Sequence, residues 1–96
     1  MTVRGAAYID LSGVDGWHDV SAVRRRCADL ALIPTGATLI VHVGQASPSC
    51  EAVRLIGEHV DRLTVEVHAA GSNVEAWLAA LRGTGAIFDR RLQGVA

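Results

Sequence analysis

Three short segments of this chain alternate apolar and polar residues with the period of a β-strand, and a helix-start pattern follows each of them. The segments are residues 7–11, 39–43 and 63–68. Because successive strand side chains point to opposite faces of a sheet, each segment has one aliphatic face and one mixed face. Sheets with helices on both sides are usually apolar on both faces. The alternation therefore predicts a single α/β domain with a mostly parallel, three- to four-stranded sheet that carries its helices mainly on one face.

The two faces of this predicted sheet differ in chemistry. The aliphatic face is made of Ala7, Ile9, Leu11, Leu39, Val41, Val43, Leu63, Val65 and Val67. The opposite face, called the mixed face below, is made of Tyr8, Asp10, Ile40, His42, Thr64, Glu66 and His68. Interfaces often combine aromatic or aliphatic anchors with polar neighbours. We expect the mixed face to be covered by a second copy, by another protein, or by the C-terminal segment around Phe88 and Leu92.

Helix-start residues follow the first two strands. A helix over residues 19–32 is expected, with Asp19 as its N-cap and Val20, Val23, Cys27 and Leu30 as its buried stripe. A second helix is expected from Ser47, with Pro48 at its first position and Val53, Ile56 and Val60 facing inward. The predicted core combines strand and helix residues. It consists of Ile9, Leu39, Val41, Val65, Val67, Val53 and Ile56.

The last third of the chain predicts one more helix and a weak strand. Ser72 and Glu75 have the spacing of a capping box, and Gly83 suits a left-handed helix end. Residues 86–89 are expected to form a short fourth strand. The tail over residues 90–96 has little to pack and is expected to fray.

Composition excludes several classes of protein. The 96 residues carry a net charge of −1, which argues against a general nucleic-acid binder. All nine basic residues are Arg, so Lys-based catalysis is excluded. The abundance of Ala, Gly, Val and Arg points to a GC-rich source such as an actinobacterium or its phage. No apolar run reaches membrane-spanning length, and the start lacks a secretory pattern, so we expect a cytoplasmic protein with reduced thiols.

Titratable residues suggest chemistry at only two places. Asp10, His42 and His68 share the mixed face and could hold a metal, but surface His and Asp on a one-sided sheet need no such role. We expect no metal and no cofactor. Cys50, near a helix start, is either a reactive thiol or a passive, partly buried one, whereas Cys27 belongs to the core. The small-residue loops after the strands either bind an anionic ligand at helix N-termini or are ordinary turns.

A family resemblance adds a regulatory interpretation. Residues 10–14 read D-L-S-G-V at a strand end, residues 36–41 read G-A-T-L-I-V, and Ser47-Pro48-Ser49 precedes a helix. This part of the chain resembles the STAS family of anti-sigma factor antagonists. The resemblance places Ser21 at the phosphoacceptor position, although the Ser before it and the Gly after it in the family pattern are missing. It implies a one-sided α/β sheet and a non-enzymatic partner-binding role.

Taken with the mixed face, these observations favour a small regulatory or protein-interaction module, STAS-like, without catalytic residues. A phage or actinobacterial host-interaction protein of an unrelated family is one alternative. A small enzyme or anion-binding protein that uses the carboxyl ends of the strands is another. The expected partner is another protein or a second copy of the chain, not nucleic acid or a membrane.

Overall fold

In the described part of the chain, four parallel strands form one sheet in sequence order. In a computed structural model of the chain, residues 6–83 and 92–95 are described. The strands are β1 (Ala6–Asp10), β2 (Thr38–Gly44), β3 (Thr64–Ala69) and β4 (Leu92–Val95), in the order β1-β2-β3-β4. All neighbouring strands pair in parallel. The predicted α/β class and mostly parallel sheet are confirmed.

Three helices connect the strands and pack on the aliphatic face. They are α1 (Val20–Arg26), α2 (Cys50–Gly57) and α3 (Asn73–Arg82), with a 3₁₀ turn over Leu30–Leu32 after α1. Parallel strands laid down in sequence order with right-handed crossovers place every helix on the same side of a sheet. None of the helices in the described parts of the chain has the length and apolarity that a bilayer span requires.

The core lies between the sheet and this helix layer. Leu39, Val41, Val43, Val65 and Val67 on the strands are fully buried, and Trp77 of α3 is 1% exposed against them. The remaining core residues come from β1, the helices and the segments that connect the elements. They include Ile9, Leu11, Val23, Cys27, Leu30, Ala52, Ile56, Val60, Leu63, Val74, Leu78 and Leu81.

The expected strand faces are therefore confirmed, with two corrections in the helices. Val53 is only half-buried, because the turn of α2 that faces the sheet presents Ala52 and Ile56 instead. Val20 at the start of α1 is likewise half-buried rather than part of the buried stripe.

Helix bounds depart from the sequence-based expectation in the first two helices. Asp19 caps α1 as expected, with its carboxylate accepting from the Ala22 N–H at 3.1 Å. However, α1 ends at Arg26 instead of continuing to residue 32. The Leu30 and Ile33 carbonyls beyond it accept hydrogen bonds from the Arg62 guanidinium. This side chain thus ties the segment after α1 to the start of β3.

The N-cap of the second helix lies two residues later than expected. Ser49, not Ser47, caps α2, and its hydroxyl accepts from the Ala52 N–H at 3.2 Å. Pro48 therefore precedes the cap instead of occupying the first helical position. Ser49 is 1% exposed, so the capping hydroxyl is buried together with the backbone group that it binds.

The predicted capping box of α3 does not form. Ser72 precedes the helix with φ −68° and ψ −11°, which is already helical backbone, and its side chain makes no capping hydrogen bond. Gly83 follows the helix with φ −64°, so the predicted left-handed end is also wrong. The first turn of α3 is instead anchored by the Asn73 amide, which donates to the Gly44 and Ala46 carbonyls at 3.2 and 2.7 Å.

The C-terminal strand also corrects an expectation. The predicted strand over residues 86–89 lies outside the described residues, but residues 92–95 of the expected frayed tail form β4 beside β3. A close approach explains the position of this strand. A Cβ on Gly94 would lie 2.1 Å from Val74 Cγ1, so the missing side chain lets α3 pack directly on β4.

Candidate functional site

The sheet register brings the predicted mixed-face residues into ordered transverse rows. Asp10 lies beside His42, and His42 beside His68, in one row across β1, β2 and β3. The neighbouring row holds Tyr8, Ile40 and Glu66. Side chains of one row lie at the same height along the strands, about 4.8 Å apart from strand to strand. All seven residues assigned to the mixed face from the sequence thus share one surface, with Thr64 in a third row opposite Thr38.

This surface is not covered by any element of the described residues. Tyr8 is 61% exposed, and the other six residues are half-buried. The helices pack on the other side, and β4 extends the sheet beside β3. Leu92 therefore belongs to a strand and does not cross the mixed face, whereas Phe88 lies outside the described residues. At the end of β4, Val95 is 41% exposed.

Local contacts already engage most polar groups of the mixed face. The Tyr8 ring stacks on the His42 ring with 6.5 Å between centroids and 17° between planes. His68 Nε2 lies 3.1 Å from Glu66 Oε1 on the same strand. These contacts hold the side chains against the sheet while their outer surfaces stay accessible.

Asp10 is held as a carboxylate at the end of β1. Its Oδ1 atom accepts from the Ser12 hydroxyl at 2.5 Å and from the Ser12 backbone N–H at 2.9 Å. These two hydrogen bonds, the side-chain one first, lower the pKa of Asp10 below its usual value. The D-L-S sequence after β1 thus makes a turn that fixes a negative charge at one corner of the mixed face.

The row of Asp10, His42 and His68 does not form a metal-binding group in the structure. Within residues 6–83 and 92–95, no three His, Cys, Asp or Glu side chains come together in an arrangement that could hold a metal ion. The register brings these residues side by side, but each turns to another neighbour. Asp10 binds Ser12, His42 stacks on Tyr8, and His68 pairs with Glu66.

The other candidate place is the carboxyl edge of the sheet, and the part of it where the loops after β1 and β2 meet α2 and α3 is filled by described residues. The Trp77 indole N–H donates to the Ala46 carbonyl at 2.7 Å, the same carbonyl that binds Asn73. Gly16 packs so closely on Ser49 that a Cβ there would lie 2.3 Å from Ser49 Oγ. The space enclosed beside these residues is about 10 Å³, which is about one water molecule at most. Sequence reasoning missed the Asn73 and Trp77 contacts, although a buried indole N–H generally has a partner.

The remaining candidate residues lie in the helix layer. Ser21 is exposed at the second position of α1, on the side of the sheet opposite the mixed face. Cys50 is exposed at the first position of α2, which corrects the expectation of a partly buried thiol. Cys27 is buried as expected, and burial is the main cause that raises its pKa to about 11.

Charged residues on the outside of the helix layer form a network. Glu51 of α2 accepts hydrogen bonds from Arg54 and Arg24, each at 2.8 Å. These bonds, with Arg54 contributing most, lower the pKa of Glu51 to about 2. Arg54 also donates to Glu58 at 2.8 Å. Beside this network, α2 and α3 border a shallow groove of about 540 Å³ lined in part by Val53 and Ala80, which the sequence analysis did not predict.

Comparison with known proteins gives no relative for this chain. No protein-family model matches it, and neither a curated protein nor a solved structure does so.

Proposed function

We propose that this chain is a small protein-interaction module of a regulatory kind, and that the mixed face is its binding surface. One observation carries the proposal. In the described part of the chain no helix packs on this side of the sheet, and Tyr8 is 61% exposed there with Ile40 beside it. The proposed role is STAS-like and non-enzymatic, and the proposed place of action is the cytoplasm.

The chemistry of the surface supports a protein as the ligand. An aromatic ring and an aliphatic side chain occupy neighbouring positions of one row, and charged or polar residues surround them. Protein interfaces combine central aromatic and aliphatic anchors with a polar rim. An apolar patch rimmed by polar residues is also a common mark of such a site. In contrast, the filled carboxyl edge gives no support to the alternative of a small enzyme or anion-binding protein.

Ser21 belongs to this proposal as the phosphoacceptor that the STAS resemblance implies. Its side chain is exposed in the first turn of α1, where a phosphate would be favourably placed relative to the helix dipole. Because α1 packs on the opposite side of the sheet, modification of Ser21 would leave the mixed face itself unchanged. A host-interaction protein from a phage or an actinobacterium would use the same surface, with a host protein as its partner.

The test is an affinity-capture experiment with a matched pair of variants. Immobilised protein is incubated with lysate of a GC-rich actinobacterium, and the retained proteins, including copies of the chain itself, are identified by mass spectrometry. Ile40→Arg introduces a charge in the centre of the mixed face, and Leu32→Arg introduces the same charge at a site in the helix layer that is 78% exposed. Both variants should keep the parent circular dichroism spectrum.

We expect at least one protein that the parent and Leu32→Arg retain in equal amounts. The amount of this protein retained by Ile40→Arg should be at least tenfold lower. A desolvated charge in the middle of an interface has a cost of several kcal/mol, which justifies this expectation. Equal retention of all partners by Ile40→Arg and the parent would contradict the proposal.

A further inference from the structure

We infer that the protein bound at the mixed face is a second copy of this chain, packed sheet to sheet about a twofold axis that runs parallel to β2 and passes over Ile40. The inference rests on the proposed function, because it names the occupant of the same surface. It is carried by the charge pattern that the sheet register creates across β1, β2 and β3.

The register determines which residues such an axis would bring together. A twofold axis along β2 places β1 of one copy opposite β3 of the other. Residues of the same transverse row then face each other across the interface. Tyr8 then lies opposite Glu66 of the second copy, and Asp10 lies opposite His68 of the second copy. On the axis itself, Ile40 lies opposite Ile40 and His42 lies opposite His42 of the second copy. Each of the two polar pairs occurs twice, so the surface is complementary to itself, as a twofold interface requires.

Two other twofold axes over the same surface lack this complementarity. A twofold axis across the strands over the row of Ile40 would place Glu66 against Glu66, which opposes like charges. An axis shifted to lie between β2 and β3 would place the apolar Ile40 against Glu66. Of these three axes, the axis over β2 is the one that joins Ile40 to Ile40 and also gives Tyr8 and Asp10 a polar partner on the second copy.

The size of the surface defines the kind of dimer. Three strands and five residues per strand cover an area of about 15 Å by about 17 Å, since strands are about 4.8 Å apart and rise about 3.3 Å per residue. This area is far below the roughly 800 Å² per partner of a standard stable interface. We therefore expect a reversible dimer with a dissociation constant of roughly 10 μM to 1 mM.

The experiment measures the dimer by sedimentation equilibrium from roughly 10 μM to 1 mM, the range in which such an interface associates. The parent should show a concentration-dependent dimer. Tyr8→Glu places a carboxylate opposite Glu66 of the second copy and should weaken association at least tenfold. Tyr8→Arg should preserve or strengthen it, because the new guanidinium faces the same carboxylate. The double variant Tyr8→Glu with Glu66→Arg should restore the dimer, and Leu32→Glu in the helix layer should leave it unchanged.

Within one chain Tyr8 and Glu66 lie on strands separated by β2, so restoration by the double variant reports a contact between copies. Weakening by Tyr8→Arg as strong as that by Tyr8→Glu would overturn the axis, as would failure of the double variant to restore association. A parent that stays monomeric throughout would overturn the second copy as occupant. In that case the lysate experiment with Ile40→Arg would still decide whether the face binds a different protein.

Discussion

The two faces of the sheet experience opposite environments although they belong to the same strands. On β2, Val41 is completely buried beneath the helices, and the adjacent residues Ile40 and His42 are half-buried on a face that no described element covers. One step along the chain thus separates core from surface. Because the side-chain period of a strand is two, the alternation in the sequence determines this difference.

The connections between the strands explain why the helices pack on only one face of the sheet. Each of the first three strands is followed by a helix and then by the next parallel strand alongside, in the order β1-β2-β3-β4. With all crossovers of the same hand, none of the three helices in residues 6–83 is available for the second side. The aliphatic face is therefore stabilised by packing against the helices, whereas the mixed face has no helix of the described residues packed on it.

The largest difference in the free energy of unfolding is expected when the same charge is introduced on each of the two faces of β2. Val41→Asp places a carboxylate among fully buried aliphatic side chains, with no cation or hydrogen-bond donor to compensate it. Such a change costs roughly 3 to 5 kcal/mol, enough to unfold a domain of this size. Ile40→Asp changes the adjacent residue of the same strand and should cost about 1 kcal/mol or less.

Urea denaturation followed by far-ultraviolet circular dichroism compares the free energies of unfolding of the two variants. Equal destabilisation by Val41→Asp and Ile40→Asp would contradict this prediction, because it would mean that the two faces are similarly buried.

A smaller effect is expected where the helix side closes the end of the sheet. Gly16 of the loop after β1 touches Ser49, and a Cβ at Gly16 would lie 2.7 Å from the Ser49 Cβ. Gly16→Ala therefore forces this loop away from the start of α2 and should destabilise the protein by about 1 to 3 kcal/mol.

Gly13 in the same loop provides the control for this prediction. Its φ of +77° is left-handed but nothing lies within 4 Å of a Cβ there, so Gly13→Asn should cost less than about 1 kcal/mol. The midpoints of thermal unfolding measure both changes. If Gly16→Ala has the same melting temperature as the parent, the carboxyl edge of the sheet has free space. That result would support the alternative of a ligand site at this edge.

The sequence predicted the strands, the faces and the helix order because these follow from periodicity, which is a local property. It did not predict where α1 ends or how α3 is capped, because these depend on contacts made at a distance. Arg62 binds the carbonyls beyond α1, and Asn73 anchors the start of α3 to the end of β2. Strand β4 was also missed, since its position depends on how closely Gly94 allows α3 to approach.

The candidate site was predictable to a similar degree. Alternation assigned the seven mixed-face residues to one surface, and the register puts them there. Alternation could not predict the strand order, which decides that Tyr8 and Glu66 lie on either side of Ile40. It also could not predict that Asp10 turns to Ser12 and His68 to Glu66, because these contacts depend on side-chain conformation.

The smallest change in the free energy of unfolding is expected from two serines that each precede a helix. The Ser49 hydroxyl is buried and accepts from the Ala52 N–H at 3.2 Å, whereas Ser72 is exposed and makes no capping bond. Ser49→Ala leaves a buried backbone donor without its partner and should cost about 1 kcal/mol, within the usual range for a lost N-cap. Ser72→Ala should change the free energy of unfolding by less than about 0.5 kcal/mol, as an exposed substitution does. Amide hydrogen exchange locates the effect, because Ser49→Ala should speed exchange at the Ala52 amide while Ser72→Ala leaves the first turn of α3 unchanged. A larger loss from Ser72→Ala than from Ser49→Ala would restore the capping box that the sequence predicts, and it would show that burial does not decide which serine stabilises its helix.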